Sequence, residues 1–225
     1  MKKNEQTNAK RVFNLIIVDE SGSMSIIRRE AFEGLNETIA TVKKMQETYP
    51  DLEQSITLLT FDSGHKTFVY DGVKAEKAGL MQWNQYNPGG ATPLYDAIGL
   101  GISKVNALTS KDDEVLVTII TDGEENCSRE YSLAMVNNLI EKLKEQNWTF
   151  SLIGTDNLDV ETMARSMSIE NHLVFTENAE STREMFREKH EAMKRYYSDV
   201  NADSAFSAEE VKERKRLRRG KFFNS

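Results

Sequence analysis

Two short β-branched apolar runs, residues 12–18 and 115–121, each lead straight into an aspartate, Asp19 and Asp122. A continuous apolar run of this length, without polar alternation, suits a strand covered on both faces, as in the interior of a parallel sheet. Such strands need crossover helices between them, so the segments that follow must carry a 3.6-residue period.

They do. Phe32, Leu35, Ile39, Val42 and Met45 recur at spacings of three and four, and Pro50 ends that helix. Residues 56–61 and 66–70 read as strands joined by Asp62-Ser63-Gly64-His65, a hairpin signal. Residues 71–92 read as loop, and Pro93 opens a helix whose apolar face is Leu94, Ala97, Ile98, Gly101, Ile102 and Val105. A helix bearing Leu133, Val136, Leu139, Ile140 and Leu143 follows the second run. Then come a strand over 148–153, a short helix over 157–166, a strand over 172–175 and a helix over 181–197. The expected fold is a three-layer, doubly wound, Rossmann-like α/β arrangement: a mostly parallel six-stranded sheet with one antiparallel edge strand and helices on both faces. Residues 12–197 form the domain, residues 1–11 an N-terminal extension, and residues 198–225 a small polar linker followed by a basic tail.

Composition narrows the function. Among 225 residues there is a single cysteine, Cys127, so neither an intramolecular disulfide nor a thiolate metal cluster is available. The first apolar run is too short for a secretion signal, and no stretch approaches the roughly 18 apolar residues of a membrane span. A cytoplasmic protein without membrane attachment is expected. The net charge is −7. Residues 211–225 carry seven basic side chains against Glu213, which leaves −13 on the first 210 residues. Such a tail reads as nucleic-acid-binding, as a linear motif with Phe222 and Phe223 for a partner protein, as solvated chain, or as a segment folded back on its own acidic body.

The chemistry concentrates at strand ends. Asp19-Glu20-Ser21-Gly22-Ser23 follows the first buried strand directly, and Thr121-Asp122-Gly123-Glu124-Glu125-Asn126 closes the second. Pro88-Gly89-Gly90-Ala91-Thr92-Pro93 lies between them. In open parallel sheets ligands bind outside the carboxyl ends of the strands, so two carboxylates and three hydroxyls converge at one edge. Those are hard oxygen ligands, suited to Mg²⁺, with Mn²⁺ or Ca²⁺ as substitutes. An ion facing only two acidic side chains stays under-neutralised and accepts a carboxylate from elsewhere. The local alternative is a turn with helix caps at Ser21, Ser23 and Thr92, and a second turn at Asp122-Gly123. Glu20 adds negative potential near the ion, and Glu124 and Glu125, which do the same on the other side, read as solvated loop acids.

At these residues the chain resembles the von Willebrand factor type A domain, whose metal-ion-dependent adhesion site has the pattern Asp-x-Ser-x-Ser, a distant Thr and a distant Asp. Asp19, Ser21 and Ser23, then Thr92, then Asp122 match it. The resemblance spans about residues 12–197 and implies strand order 3-2-1-4-5-6. It implies direct ligation by Ser21 and Ser23, mainly water-mediated contact from Asp19 and Asp122, and a Thr92 that switches between the two. It also implies a stand-alone intracellular member of bacterial or phage type. Such a protein would be non-enzymatic, an adaptor or chaperone-like module that captures an Asp or Glu of a partner protein, with an ATPase among the candidate partners.

Rival readings are weaker. Aspartyl-phosphate phosphoryl transfer needs a second carboxylate two residues after the nucleophile, and position 21 is serine. Nucleic-acid association through the tail is opposed by the acidic body. His65, His172 and His190 have no metal-binding spacing, and Cys127 has no adjacent lysine or histidine to activate it.

Overall fold

A computed structural model describes residues 10–223. Strands β1 (Lys10–Asp19), β2 (Leu52–Phe61), β3 (Lys66–Lys74), β4 (Glu114–Thr121), β5 (Trp148–Thr155) and β6 (Asn171–Phe175) form one sheet. Their order is β3-β2-β1-β4-β5-β6, and β3 alone is antiparallel to its neighbour. This is the expected fold. The helices are α1 (Arg28–Thr48), α2 (Leu94–Asn106), α3 (Leu133–Lys144), α4 (Val160–Ser166), α5 (Ala179–Ala202) and α6 (Ala208–Gly220).

The apolar run of β1 divides by the strand's period of two. Val12, Ile16 and Val18 enter one core with Leu35, Ile39 and Val42 of α1 and Met185, Met193 and Tyr197 of α5. Phe13, Leu15 and Ile17 enter the other, with Leu94, Ile98 and Ile102 of α2 and Val136 and Ile140 of α3. Covering both faces removes any need for a polar side, which is why the run shows no alternation. The chain leaves β1 for β2 on one side and later returns to β4 on the other. The crevice outside their carboxyl ends is therefore a switch point of the topology.

Both chain ends differ from expectation. Lys10 and Arg11 open β1 rather than belonging to an extension; residues 1–9 lie outside the described residues. The expected linker is absent as such, because α5 continues to Ala202 and a short 3-10 turn over Asp203–Ala205 leads to α6. Ser207 caps α6 in a reciprocal box with Glu210. The basic tail folds back on the body. Arg218 is buried, with Nη2 2.9 Å from Asp203 Oδ2 and 3.3 Å from Glu114 Oε1. Lys10 reaches Asp203 at 2.9 Å, Arg214 reaches it at 3.0 Å, and Lys215 reaches Glu114 at 3.0 Å. Phe222 and Phe223 then join the core of α1 and α5. All of this lies at the amino-terminal ends of β1 and β4, the edge opposite Asp19 and Asp122. Among the described residues no helix is long and apolar enough to cross a membrane.

Candidate metal centre

The five predicted residues meet. Ser23 Oγ donates to Asp122 Oδ1 at 2.7 Å and lies 3.2 Å from Ser21 Oγ. Asp19 Oδ1 accepts the Ser21 N–H at 2.7 Å, and Asp19 Oδ2 accepts the Thr121 hydroxyl at 2.6 Å. A Cβ placed on Gly123 would sit 2.8 Å from Thr92 Oγ1, 3.6 Å from Asp19 Oδ2 and 3.7 Å from Ser21 Oγ. These oxygens therefore surround one spot that any residue larger than glycine would crowd. Asp19, Ser21, Thr92 and Asp122 are buried, whereas Ser23 and Gly90 are exposed, so the group opens to solvent on that side.

Electrostatics mark the site as short of positive charge. Burial pushes the Asp122 carboxyl up, the Ser23 hydroxyl opposes it, and the Asp19 and Glu177 carboxylates raise it further, to about 7. Burial also raises Asp19, against hydrogen bonds from Thr121 and Ser21. Asp122 Oδ2 and Glu177 Oε1 are buried with no donor group on either, and the two carboxyls lie within hydrogen-bonding reach of each other. An unmet buried carboxylate oxygen beside three hydroxyls fits a hard cation. Among the described residues no group of three or more His, Cys, Asp or Glu side chains is arranged to hold a metal. A site here would therefore depend on its hydroxyls.

The supporting frame was not visible in sequence. Asn126 holds Thr92 from both sides: its Oδ1 accepts the Thr92 N–H at 2.9 Å, and its N–H donates to the Thr92 carbonyl at 3.1 Å. Glu125 is not a free surface acid. Its carboxylate accepts the Tyr95 N–H at the start of α2 and the N–H groups of Cys127 and Ser128. Glu20 is buried, bonded to His65 Nε2 at 3.0 Å and to the Asn87 N–H. Its carbonyl takes the Gly89 N–H at 2.7 Å. Gly90 has φ +74°, and a Cβ there would approach Ser63 Oγ to 2.7 Å, so the loop carrying Thr92 requires glycine at that turn. Glu124 is exposed, as expected. Where the site holds Mg²⁺, as proposed below, Asn126→Ala is expected to weaken its binding roughly tenfold by freeing Thr92, and to lower the metal-free melting temperature by several degrees because the buried Thr92 N–H loses its acceptor; calorimetry and thermal scans on the same samples check this.

The family model of the von Willebrand factor type A domain matches residues 15–188. The chain belongs to that family, whose domains generally serve protein interaction. Among curated proteins no sequence matches. Among solved structures, the pilus adhesin SpaC from Lactobacillus rhamnosus GG, in its open conformation, is similar with a TM-score of 0.63 at 13% identity, over 83% of this chain and 30% of that one. The PilB minor pilin from Streptococcus sanguinis gives 0.56 at 11% identity, over 84% and 62%. The von Willebrand factor domain of the type V pili tip protein Mfa5 from Porphyromonas gingivalis gives 0.58 at 10% identity, over 80% and 95%. The chain thus spans less than two thirds of the pilin and less than a third of the adhesin. At these identities the likeness is one of fold.

Proposed function

We propose that this domain is a non-enzymatic, Mg²⁺-dependent protein-recognition module of adaptor or chaperone-like type, which binds an acidic side chain of a partner through the ion. The observation that carries the reading is the meeting of Asp19, Ser21, Ser23, Thr92 and Asp122 at the switch point, with Asp122 Oδ2 buried and met by no donor, against the Glu177 carboxyl. Those five side chains would hold the ion. With Asp19 and Asp122 meeting it mainly through water, as in the family pattern, the ion would keep an open position and enough charge to take a carboxylate from outside. Both oxygens of Asp19 are already engaged by Ser21 and Thr121, which suits a positioned ligand better than a free nucleophile.

Calorimetry with millimolar Mg²⁺ or Mn²⁺ is expected to show one site in wild type and none in Asp19→Ala or Ser21→Ala. Retention of a lysate partner by wild type in Mg²⁺, and its loss in EDTA and in Asp19→Ala, tests the capture step. Absence of divalent-ion binding refutes the reading, and turnover of a phosphate ester that is lost in Asp19→Asn replaces it with an enzymatic one.

The protonation of Asp122 gives a signed prediction. Below pH 7 the metal-free carboxyl holds a proton that the ion must displace, so affinity rises with pH up to about that value and then levels. With one proton released, the slope is at most about tenfold per pH unit. Titrations in buffers of different ionisation enthalpy at pH 6 and pH 8 check both slope and proton count.

A further inference from the structure

Of the seven cations in residues 211–225, four are met by carboxylates of the fold: Arg214 and Arg218 by Asp203, Lys215 by Glu114 and Arg216 by Glu213. Lys221 enters no ion pair among the described residues, and neither does Arg195 of α5. Both are exposed, and both line one cleft of about 340 Å³ between α5 and α6. Arg195 makes one long hydrogen bond there, from Nη2 to the Phe223 carbonyl at 3.4 Å.

The cleft differs from its neighbours in charge. The groove between α1 and α5 is lined by four carboxylates and four Lys or Arg side chains, and the hollow between α3 and α6 sets three carboxylates against four cations. In the cleft Arg195, Arg214, Arg218 and Lys221 face Asp199 alone. Its floor is apolar and fixed. Ala192, Tyr196 and Phe222 lie buried there, Tyr196 meeting Phe222 edge-on at 6.1 Å and placing its hydroxyl 3.3 Å from Glu114 Oε2. Leu217 lines the same cleft and keeps 43% of its surface in water.

An exposed cation by itself is ordinarily just solvated. Here two unpaired cations stand over an ordered apolar floor, and an occupant that satisfies both must carry both kinds of group. A bare anion leaves Leu217 uncovered, and a neutral apolar segment leaves Arg195 and Lys221 unmatched. Nucleic acid extends its phosphates beyond the cleft onto an acidic body, which repels them. A short acidic segment with an apolar anchor fits, because a guanidinium pairs well with carboxylates and a preformed pocket adds little ordering cost.

We propose that the cleft between α5 and α6 is a second, metal-independent docking site for a segment of a partner protein that presents one large apolar side chain flanked by Asp or Glu. The apolar side chain covers Leu217 above Tyr196 and Phe222, and the flanking carboxylates meet Arg195 and Lys221. The site lies at the edge opposite Asp19 and Asp122 and works whether or not an ion is held there.

Bead-displayed peptides test it in EDTA, with the full chain as probe: Leu, Phe or Ser at the centre of a Ser/Gly background, flanked on both sides by Glu or by Lys. Wild type is expected to retain Glu-flanked Leu or Phe peptides about tenfold better than Glu-flanked Ser peptides, an amount typical of burying one such side chain. It is expected to favour Glu over Lys flanks, by a margin that shrinks as salt rises from about 50 mM to about 500 mM. Leu217→Ser erases the first preference, and Arg195→Gln combined with Lys221→Gln erases the second. These three side chains are exposed, so both variants melt close to wild type. Asp19→Ala retains the peptides as wild type does, which separates this site from the metal site. Equal retention of Leu, Phe and Ser peptides by wild type, or preferences unchanged in the two cleft variants, overturns the inference. So does tighter binding of single-stranded DNA than of every peptide, lost in the double variant, which makes the cleft a phosphate-binding surface instead.

Discussion

Deleting residues 208–225 is expected to unfold the domain or leave it severely destabilised, although the family match ends at residue 188. Removal takes Phe222 and Phe223 out of the core and strips Arg218, Arg214 and Lys215 from Glu114 and Asp203, leaving Lys10 as their remaining cation. Truncating one partner of a buried ion pair costs about 3–5 kcal/mol, because the other charge stays buried. A buried Phe→Ala costs about as much. At roughly 2–4 °C per kcal/mol for a chain of this size, Arg218→Ala alone lowers the melting temperature by about 6–20 °C. Burial pushes the Asp203 carboxyl up, but Arg218, Lys10 and Arg214 outweigh it and hold it down to about 2. Its folded pKa lies below the ordinary 3.8, so this contribution is present above pH 4 and is lost as pH falls toward 2. Thermal scans of Arg218→Ala and wild type between pH 3 and pH 7 check it; a difference that does not shrink toward pH 3 contradicts the account.

Lys189→Met is expected to stabilise. Lys189 is fully buried between α1 and α5, with Nζ 3.0 Å from Thr38 Oγ1 and 3.5 Å from the Met193 sulfur, and no salt bridge reaches it among the described residues. The neighbouring His190, 3.0 Å from the same hydroxyl, is held down to about 3 by burial and by Lys189 and Lys194, so it stays neutral and adds no second positive charge there. Burial pushes Lys189 down to about 7 from the usual 10.5. The unfolded chain therefore binds a proton that the folded chain must shed between those values, and wild-type stability rises with pH across that window. A thioether of similar length removes the cost. The gain, about 2 kcal/mol or more and hence roughly 4–8 °C, is largest at pH 7 and below and shrinks toward pH 10. Thermal scans at pH 6.5 and pH 9.5 give the comparison; equal gains at both would mean that packing, not charge burial, accounts for the effect.

Much of this molecule is legible in its sequence, for identifiable reasons. β1 and β4 are buried on both faces, so their composition alone marks them, and an aspartate at the end of each marks the edge where chemistry collects. Ser21, Ser23 and Thr92 follow because they sit in loops tied to that edge. Asn126 and Glu125 escape notice because their partners, Thr92 and Tyr95, are 34 and 30 residues away and meet them only after α2 has crossed the sheet. Glu20 reads in sequence only as added negative charge, and its burial emerges once His65 of the hairpin meets it. In α6 the run of cations conceals a docked helix, because Arg214, Lys215 and Arg218 fix it by ion pairs to Asp203 and Glu114 rather than by an apolar face. The Ser207–Glu210 box was the available signal of a helix start.

The ion-pair network and the candidate metal site occupy opposite ends of the same two strands, with Lys10 and Asp19 at the ends of β1, Glu114 opening β4 and Asp122 following it. A pull between a ligand held at the centre and the docked α6 is then directed along the sheet. It loads the parallel hydrogen bonds of β1 with β2 and with β4 together, in shear, rather than opening them one at a time. The tether between the candidate site and the tail is the buried middle of the protein.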